Sequence, residues 1–281
     1  MSSCPRCNCI TTNKDGIAHG RQRYRCRRCG RTFTTRTATP FSGYRRPRVV
    51  IMMAVRWYTC YRLSTANILA LLAERHIDVS ARTILSWVHT FGPLLAAEGR
   101  RQARPLGTRW WCEETYVRVA GSWAYLYRAV DEQGQVVDVL LRSRRDLASA
   151  RAFFAQAIVR RSSRPSVVIT DKHTAYPRAI REQVPHARHT QTGLHQANGP
   201  TCLPIERSHV LIKDRIRPMR GLQSICTGQS LVEGIELAGA IRRGDVQLGS
   251  LQELNRLGLS ERARAVRATF DALAAALRSM A

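Results

Sequence analysis

Acidic residues are scarce in this chain of 281 residues: 20 Asp and Glu stand against 45 Lys and Arg, which gives a formal net charge of +25. Long apolar runs are missing too. The longest, residues 49–55, falls far short of the roughly 18 to 20 apolar residues that a membrane span needs. The first residues, MSSCPRCNC, have no apolar stretch behind a basic start, so we expect no signal peptide. These absences argue against integral membrane and secreted proteins and predict a cytoplasmic one.

The excess of positive charge predicts a nucleic-acid partner. A charge of this size repels itself, and neutralising phosphates offsets that cost through counterion release. The alternative, a basic protein that lies on a membrane surface, would need a Lys-rich amphipathic helix. The basic residues here are mainly Arg and spread along the whole chain. Arg binds phosphates and guanine edges with two parallel hydrogen bonds, which favours nucleic acid.

The cysteine pattern predicts a zinc ribbon over residues 1–40. The chain has 9 cysteines, and an odd number without a signal peptide argues against a disulfide framework. Two Cys-x-x-Cys pairs with 18 residues between them can hold one tetrahedral, structural zinc ion. The predicted ligands are Cys4, Cys7, Cys26 and Cys29. Cys9 is a nearby alternative with too short a spacing, and unrelated reduced thiols or a redox pair are the weaker interpretations. The surrounding Arg residues suggest that the ribbon contacts DNA.

Residues 41–98 show helical periodicity and predict a helix-turn-helix DNA-binding domain. Ser64 and Ser80 are suitable N-caps for two helices with a short connection. The second helix presents four polar side chains outward as candidate DNA contacts: Arg82, Thr83, Ser86 and His89. A plain helical hairpin that packs on its neighbours is the alternative. Gly92 and Pro93 are expected to disturb the second helix near its end, and residues 99–107 are predicted to be a linker.

The next segment alternates strands and helices. Strands are predicted at residues 109–119, 123–131, 136–141 and 166–170, and helices at 146–160 and 174–182. This order predicts an α/β domain with a mixed sheet, so the whole chain is expected to be a multidomain α/β protein.

Candidate catalytic carboxylates stand at the ends of these elements. Glu113 lies in the first strand, Asp171 follows the buried run SVVIT, and Glu206 opens a helical stretch. His209 and Lys213 share the face of Glu206, at i+3 and i+7. Three carboxylates so placed can hold two divalent ions, Mg²⁺ or Mn²⁺, for phosphodiester cleavage. Taken alone, each acid is more often a surface charge or an ion-pair partner.

Several motifs occur in a fixed order that resembles a known family. They are AVRWY (54–58), LLAERHIDVSARTILSWV (71–88), EETY (113–116), WAYLYRAVD (123–131), TDKHTAYP (170–177) and IERSHVLIKDRIRPMRG (205–221). Together they resemble the DDE-type transposases of bacterial insertion sequences, most closely insertion-sequence family six, over residues 41–245.

The resemblance implies a ribonuclease-H-like catalytic domain, here over residues 108–245, with two Mg²⁺ ions. It implies water-driven nicking at element ends, followed by attack of the freed 3′-hydroxyl on target DNA. The partner is then double-stranded DNA, both element ends and target. A homodimer or higher oligomer on that DNA is expected, in the bacterial cytoplasm and associated with the nucleoid.

Matched to the family motifs, Asp171 is the second catalytic Asp and Glu206 the catalytic Glu. His209 and Lys213 match basic positions and are predicted to contact DNA or phosphate. The family has Asp-Glu-Thr where this chain has Glu-Glu-Thr, so the triad becomes Glu113, Asp171 and Glu206. An alternative follows from that change: a DNA-binding protein of transposase descent whose cutting activity is impaired or lost. A structural or RNA-binding role is a distant third.

The C-terminal segment, residues 246–281, carries no motif. Val266, Phe270, Leu273 and Leu277 form an apolar stripe after a Ser260 cap, which predicts an amphipathic helix. Two interpretations stay open: a helix that lies on the catalytic domain, or a dimer helix.

Overall fold

The N-terminal ribbon is a small three-stranded antiparallel sheet. The computed structural model describes residues 3–18, 20–37, 39–192, 203–219, 222–246 and 258–277. The ribbon strands are β1 (Thr12–Ala18), β2 (Arg21–Cys26) and β3 (Thr32–Phe33). Among the described residues, its core holds only the rings of Tyr24 and Phe33 beside the cysteines, with centroids 5.8 Å apart. So small an apolar core does not stabilise a domain by itself.

Three helices follow the ribbon: α1 (Arg48–Cys60), α2 (Thr65–Ala73) and α3 (Ala81–Arg101). Both predicted N-caps are confirmed. Ser64 accepts a hydrogen bond from the Asn67 amide, and Ser80 accepts one from the Thr83 amide. Each cap satisfies an amide that the first helical turn leaves without an intrahelical acceptor.

The central sheet has five strands: β4 (Arg109–Val119), β5 (Ser122–Asp131), β6 (Val136–Arg142), β7 (Val167–Thr170) and β8 (Arg188–Gln191). Their spatial order is β6-β5-β4-β7-β8. β5 pairs antiparallel with both β4 and β6, whereas β7 and β8 continue parallel to β4. This mixed sheet, with only its second strand reversed, is the ribonuclease-H-like topology, and the predicted fold class is confirmed.

Helices cover both faces of this sheet. On one face lie α4 (Leu147–Arg161) and α5 (Ala175–Gln183), and on the other lie α6 (Leu203–Ile216) and α7 (Ile225–Arg243). Strand side chains alternate between the two layers. Tyr127 packs in the core with α4 and α5, and the neighbouring Leu126 packs in the core with α7.

Helix α3 differs from the prediction, because it continues through Gly92 and Pro93 and ends at Arg101. The first residues of the predicted linker are therefore helical. Gly92 lies against α7, where an added Cβ would lie 3.1 Å from the Ser230 carbonyl oxygen. This glycine thus allows two helices to approach closely, and packing on α7 offsets the backbone hydrogen bond that Pro93 cannot make.

The last described helix, α8 (Leu259–Ala276), begins after Gly258 and not after Ser260 as predicted. All four residues of its predicted apolar stripe are buried in the core shared with α1, α3 and α7: Val266, Phe270, Leu273 and Leu277. The stripe is therefore covered within the chain. None of the helices in the described ranges has the length and hydropathy that a bilayer span requires.

Candidate active site and metal centre

Four thiols converge in the ribbon: Cys4, Cys7, Cys26 and Cys29. Their Sγ atoms all lie within 4.8 Å of one another, and the cross-pair distances are 3.6 Å for Cys4–Cys29 and 3.5 Å for Cys7–Cys26. Four Zn–S bonds of about 2.3 Å in a tetrahedron place sulfurs about 3.8 Å apart. The donor set therefore fits a zinc ion.

The two cysteine pairs use the same backbone turn. The amide of Asn8 donates to the Cys4 carbonyl at 2.8 Å, and the amide of Gly30 donates to the Cys26 carbonyl at 3.0 Å. Both donors are left-handed, with φ of 53° and 68°, a conformation that Gly and Asn adopt most readily. The repeated turn directs two thiols from each pair toward one point. Cys9 lies apart, with its Sγ 3.8 Å from the Thr11 carbonyl oxygen.

The environment of Cys4 favours a thiolate. Burial raises the pKa of its thiol, but hydrogen bonds from the backbone of Arg6 and Cys7 and from neighbouring thiols outweigh burial and lower that pKa to about 6. At Cys7 a backbone hydrogen bond with Cys9 lowers the pKa, but burial and hydrogen bonds with the neighbouring thiols outweigh it and raise that pKa. A thiolate is the form that binds metal, so the four thiols start from unequal protonation.

Two predicted catalytic carboxylates meet at the centre of the five-stranded sheet. In the parallel β4–β7 pair, Cys112 is the partner of Thr170. Glu113, within β4, and Asp171, directly after β7, come one residue later, so they occupy neighbouring positions where β7 ends beside the central strand. Their proximity is electrostatically significant, because the charge of Asp171 raises the pKa of Glu113.

The Glu113 side chain points toward α6, where its Oε2 lies 3.6 Å from the Nε2 of His209. Burial raises the pKa of Glu113 first and Asp171 raises it further; Lys213 and Arg145 lower it, and the result is about 7. Oε2 is buried and has no hydrogen-bond partner among the residues that the structure describes. A buried carboxylate oxygen without a partner is costly, and a bound cation would remove that cost.

Asp171 also belongs to a network with Glu114, whose side chain points to the strand face opposite Glu113. The Nη2 of Arg145 donates to its Oδ2 at 3.0 Å, and the Arg145 Nε donates to Glu114. Tyr176 also donates its hydroxyl to Glu114, which is buried. The side chains of Glu113 and Glu114 thus point to opposite faces of the sheet, as the alternation of strand side chains requires.

Helix α6 supplies the third predicted set of residues, and one of them needs correction. His209 is only 7% exposed, and burial together with Arg128 and Lys213 lowers its pKa to about 3. A buried, neutral imidazole does not fit the predicted role of a cationic DNA contact, and His209 instead packs beside Glu113. Lys213 is half-exposed and lines an open cavity. Glu206 lies on α6, and its side chain lies outside the described residues.

Three of the predicted contacts on α3 share one surface. Arg82, Thr83 and Ser86 line an open groove of about 570 Å³ with Arg45 and Arg46 from the segment before α1. His89 lines a separate cavity of about 260 Å³ that also includes residues of α7, and burial lowers its pKa. The structure therefore separates His89 from the other three.

Arg145 is a site residue that sequence reasoning missed. It comes directly before Asp146, whose carboxylate accepts a hydrogen bond from the Ser149 amide at 2.8 Å and caps α4. The predicted helix start at residue 146 could have pointed to Arg145, because it places the preceding residue in the loop beside the sheet. Several arginines precede that cap, and the sequence gives no means of choosing the one that turns inward.

Comparisons with known proteins agree with this geometry. A family model described as a DDE domain matches residues 107–245. The transposase of the insertion sequence-like element IS431mec of Staphylococcus aureus is 33% identical over 192 residues, which cover 68% of this chain and 84% of that protein. The transposase of element IS257 in transposon Tn4003, from the same species, is 32% identical over the same length.

A similar solved structure is the catalytic core domain of HTLV-2 integrase in complex with magnesium. It is 19% identical, with a TM-score of 0.37, over 52% of this chain and 94% of that one.

The sheet topology and the carboxylates at its centre define a ribonuclease-H-like domain. The relatives described above identify the family within this class. The chain belongs to the DDE-type insertion-sequence transposases. The resemblance read from its motifs is thereby confirmed.

Proposed function

We propose that this protein binds the ends of its insertion sequence and catalyses metal-dependent cleavage and strand transfer of DNA. The observation that carries the proposal is the juxtaposition of Glu113 and Asp171 on adjacent parallel strands. With Glu206 they form the proposed triad, and all three would hold Mg²⁺ or Mn²⁺. Bound metal would activate the attacking oxygen and stabilise the leaving oxygen of a phosphodiester.

The protein's own residues position that site. Arg145 donates to Oδ2 of Asp171, and the His173 amide donates to its Oδ1 at 3.0 Å. Glu113 keeps a buried oxygen without a hydrogen-bond partner among the described residues. In the proposed reaction, water cleaves the strand at the element end and leaves a 3′-hydroxyl. That hydroxyl then attacks a phosphodiester of the target strand, whose own 3′-oxygen departs.

DNA binding is assigned to three surfaces. The ribbon would carry structural zinc on Cys4, Cys7, Cys26 and Cys29. The groove along α3 would read the element end through Arg82, Thr83 and Ser86, and His89 would contribute from the adjacent cavity. Lys213 would contact phosphate beside the active site. The same proposal includes the predicted domain limits, an oligomer on two DNA ends and a bacterial, nucleoid-associated location.

A strand-cleavage assay tests the proposal. Purified protein is incubated with duplex DNA that carries the element's own ends, with Mg²⁺, with Mn²⁺ or with chelator. We expect metal-dependent nicks at the element boundary. Nicks at random positions, or equal nicking in chelator, would contradict the proposed site.

The DNA affinity should fall steeply with salt, because the chain carries a net +25. The slope of log K against log salt should be near −0.9 for each phosphate neutralised. Arg82→Ala should reduce the preference for element ends over unrelated duplex. Lys213→Ala should weaken both equally and reduce the slope by about 1. Arg264→Ala, a substitution at an exposed position on α8, is the control and should change neither the preference for element ends nor the salt slope. A salt-independent DNA affinity would overturn the electrostatic argument.

A second candidate function is a transposase-derived DNA-binding protein with impaired or lost catalysis. Glu113 favours it, since the family motif has Asp at this position. The longer side chain has one more torsion to immobilise and would alter the roughly 4 Å separation of two metal ions. Mg²⁺ tolerates such changes poorly.

Glu113→Asp should therefore increase cleavage of element ends, by about tenfold for each 1.4 kcal/mol of transition-state stabilisation regained. Mn²⁺ accepts looser coordination, so the difference in cleavage rate between wild type and Glu113→Asp should be smaller with Mn²⁺ than with Mg²⁺. Glu114→Asp is the matched control, because Glu114 belongs to the Arg145 network, and it should give no increase. Rates in Glu113→Asp that are equal or lower in both metals would show a site already built around Glu113.

A further inference from the structure

Two aromatic side chains are unusually exposed beside the active site: Trp123 at 55% and Tyr116 at 50%. They line an open cavity of about 430 Å³ with three cations, Arg118, Lys213 and Arg217. No acidic residue is among the described residues that line it. The surface, named here the aromatic platform (Tyr116, Arg118, Trp123), is thus both apolar and positively charged.

The register of the β4–β5 hairpin builds this platform. Tyr116 is the partner of Tyr125, and Arg118 is the partner of Trp123, so the four side chains share one face. The Arg118 guanidinium lies 3.9 Å from the ring centroid of Trp123. Tyr116 and Trp123 contact edge to face, with centroids 6.1 Å apart and planes at 81°. These contacts hold the two rings in place while much of their surface stays accessible.

The platform is close to the proposed chemistry. Tyr116 shares a strand face with Glu114, which stands two residues earlier on β4. Tyr116 also interacts electrostatically with Arg145, the residue that donates to Asp171. β7 pairs with β4 only as far as Cys112, and Leu222 bridges to Val119 further along. In the described ranges no strand pairs with the stretch between them, residues 113–117, on that side. Lys213 connects the two places, because it lines the cavity and its charge also acts on Glu113.

We propose that the aromatic platform is a stacking site for an unpaired nucleobase of the DNA substrate, next to the phosphate that is cut. Aromatic rings stack on the faces of bases without regard to sequence, and the flanking cations match the sugar-phosphate backbone. The charge of the lining favours nucleic acid over an apolar peptide or a second copy of the chain. This inference rests on the proposed function, because it specifies that the DNA bound at the same site has an unpaired base beside the phosphate that is cut.

The test compares two DNA probes on the full-length protein. One is a blunt duplex with the element-end sequence, and the other adds a short single-stranded 3′ extension that carries the fluorescent base aminopurine. Stacking of that base should quench its fluorescence on binding. Trp123→Leu, which keeps apolar bulk and removes the ring, should abolish the quenching and weaken binding of the extended probe by roughly 5- to 100-fold. Trp123→Phe should restore most of both signals.

The control is Trp57→Leu on α1, which also removes a Trp ring that lies near an arginine, Arg75. Blunt-duplex affinity should be the same in wild type and all Trp123 variants. If wild type binds the blunt duplex but the extended probe responds equally in Trp123→Leu, the stacking site is wrong and the proposed function stands. If wild type binds neither probe, the proposed function itself fails. A change of oligomeric state in Trp123→Leu, without loss of quenching, would mark a surface for a second copy and overturn the inference.

Discussion

Asp171→Asn should reduce strand cleavage of element ends by about 1000-fold or more, because loss of a metal-binding carboxylate removes several kcal/mol of transition-state stabilisation. The isosteric amide keeps an oxygen that can accept from Arg145, so the network with Glu114 is retained. Only the negative charge is lost. Binding to element ends should stay within about twofold, since phosphate affinity comes from cations.

Glu182→Gln is the control for Asp171→Asn. Glu182 lies on α5 in exposed ion pairs with Arg151 and Arg178, so loss of its charge should leave both cleavage and binding unchanged. Glu206→Gln should behave like Asp171→Asn if it completes the triad. Cleavage that survives either change at the triad, with the protein folded and bound to DNA, would place the active site elsewhere.

Much of the catalytic domain was predictable because its strands carry strong local signals. β4, β5, β6 and β7 match their predicted spans to within about one residue. Apolar runs mark the strands, and turns at Gly121 and Gly134 separate the first three. β8 was not predicted. Its sequence, RHTQ, has no apolar pattern, and the strand is defined by its parallel ladder with β7. A tertiary partner, rather than propensity, makes it a strand.

The candidate site was predictable in its acids and less so in its supporting residues. Carboxylates are rare in this basic chain, so Glu113 and Asp171 stood out, and the parallel pairing of their strands brings them together. Helical periodicity placed His209 on the same face as Glu206 but could not say that His209 is buried. That follows from the packing of α6 on β4. Side-chain contacts that depend on the packing of separate helices and strands cannot be predicted from the spacing of residues along the chain.

Cys26→Ser should abolish zinc binding and unfold the ribbon. Purified wild type should contain one zinc per chain, and the variant none, because one missing thiolate opens the four-sulfur site. Structural zinc contributes about 10–16 kcal/mol of apparent binding free energy in small domains of this kind. The apolar contact of Tyr24 with Phe33 cannot replace it. Elemental analysis measures the metal, and hydrogen exchange of the β1 and β2 amides measures the folding.

Cys9→Ser is the matched control, since Cys9 is the nearest cysteine outside the cluster and its thiol faces the Thr11 carbonyl. It should retain one zinc and protected β1–β2 amides. In Cys26→Ser, the central sheet should keep its protection, because its cores do not include the ribbon. DNA affinity should fall while the catalytic domain stays folded, which separates loss of a binding surface from general unfolding. A full zinc complement in Cys26→Ser, or its loss in Cys9→Ser, would show that the ligand set is wrong.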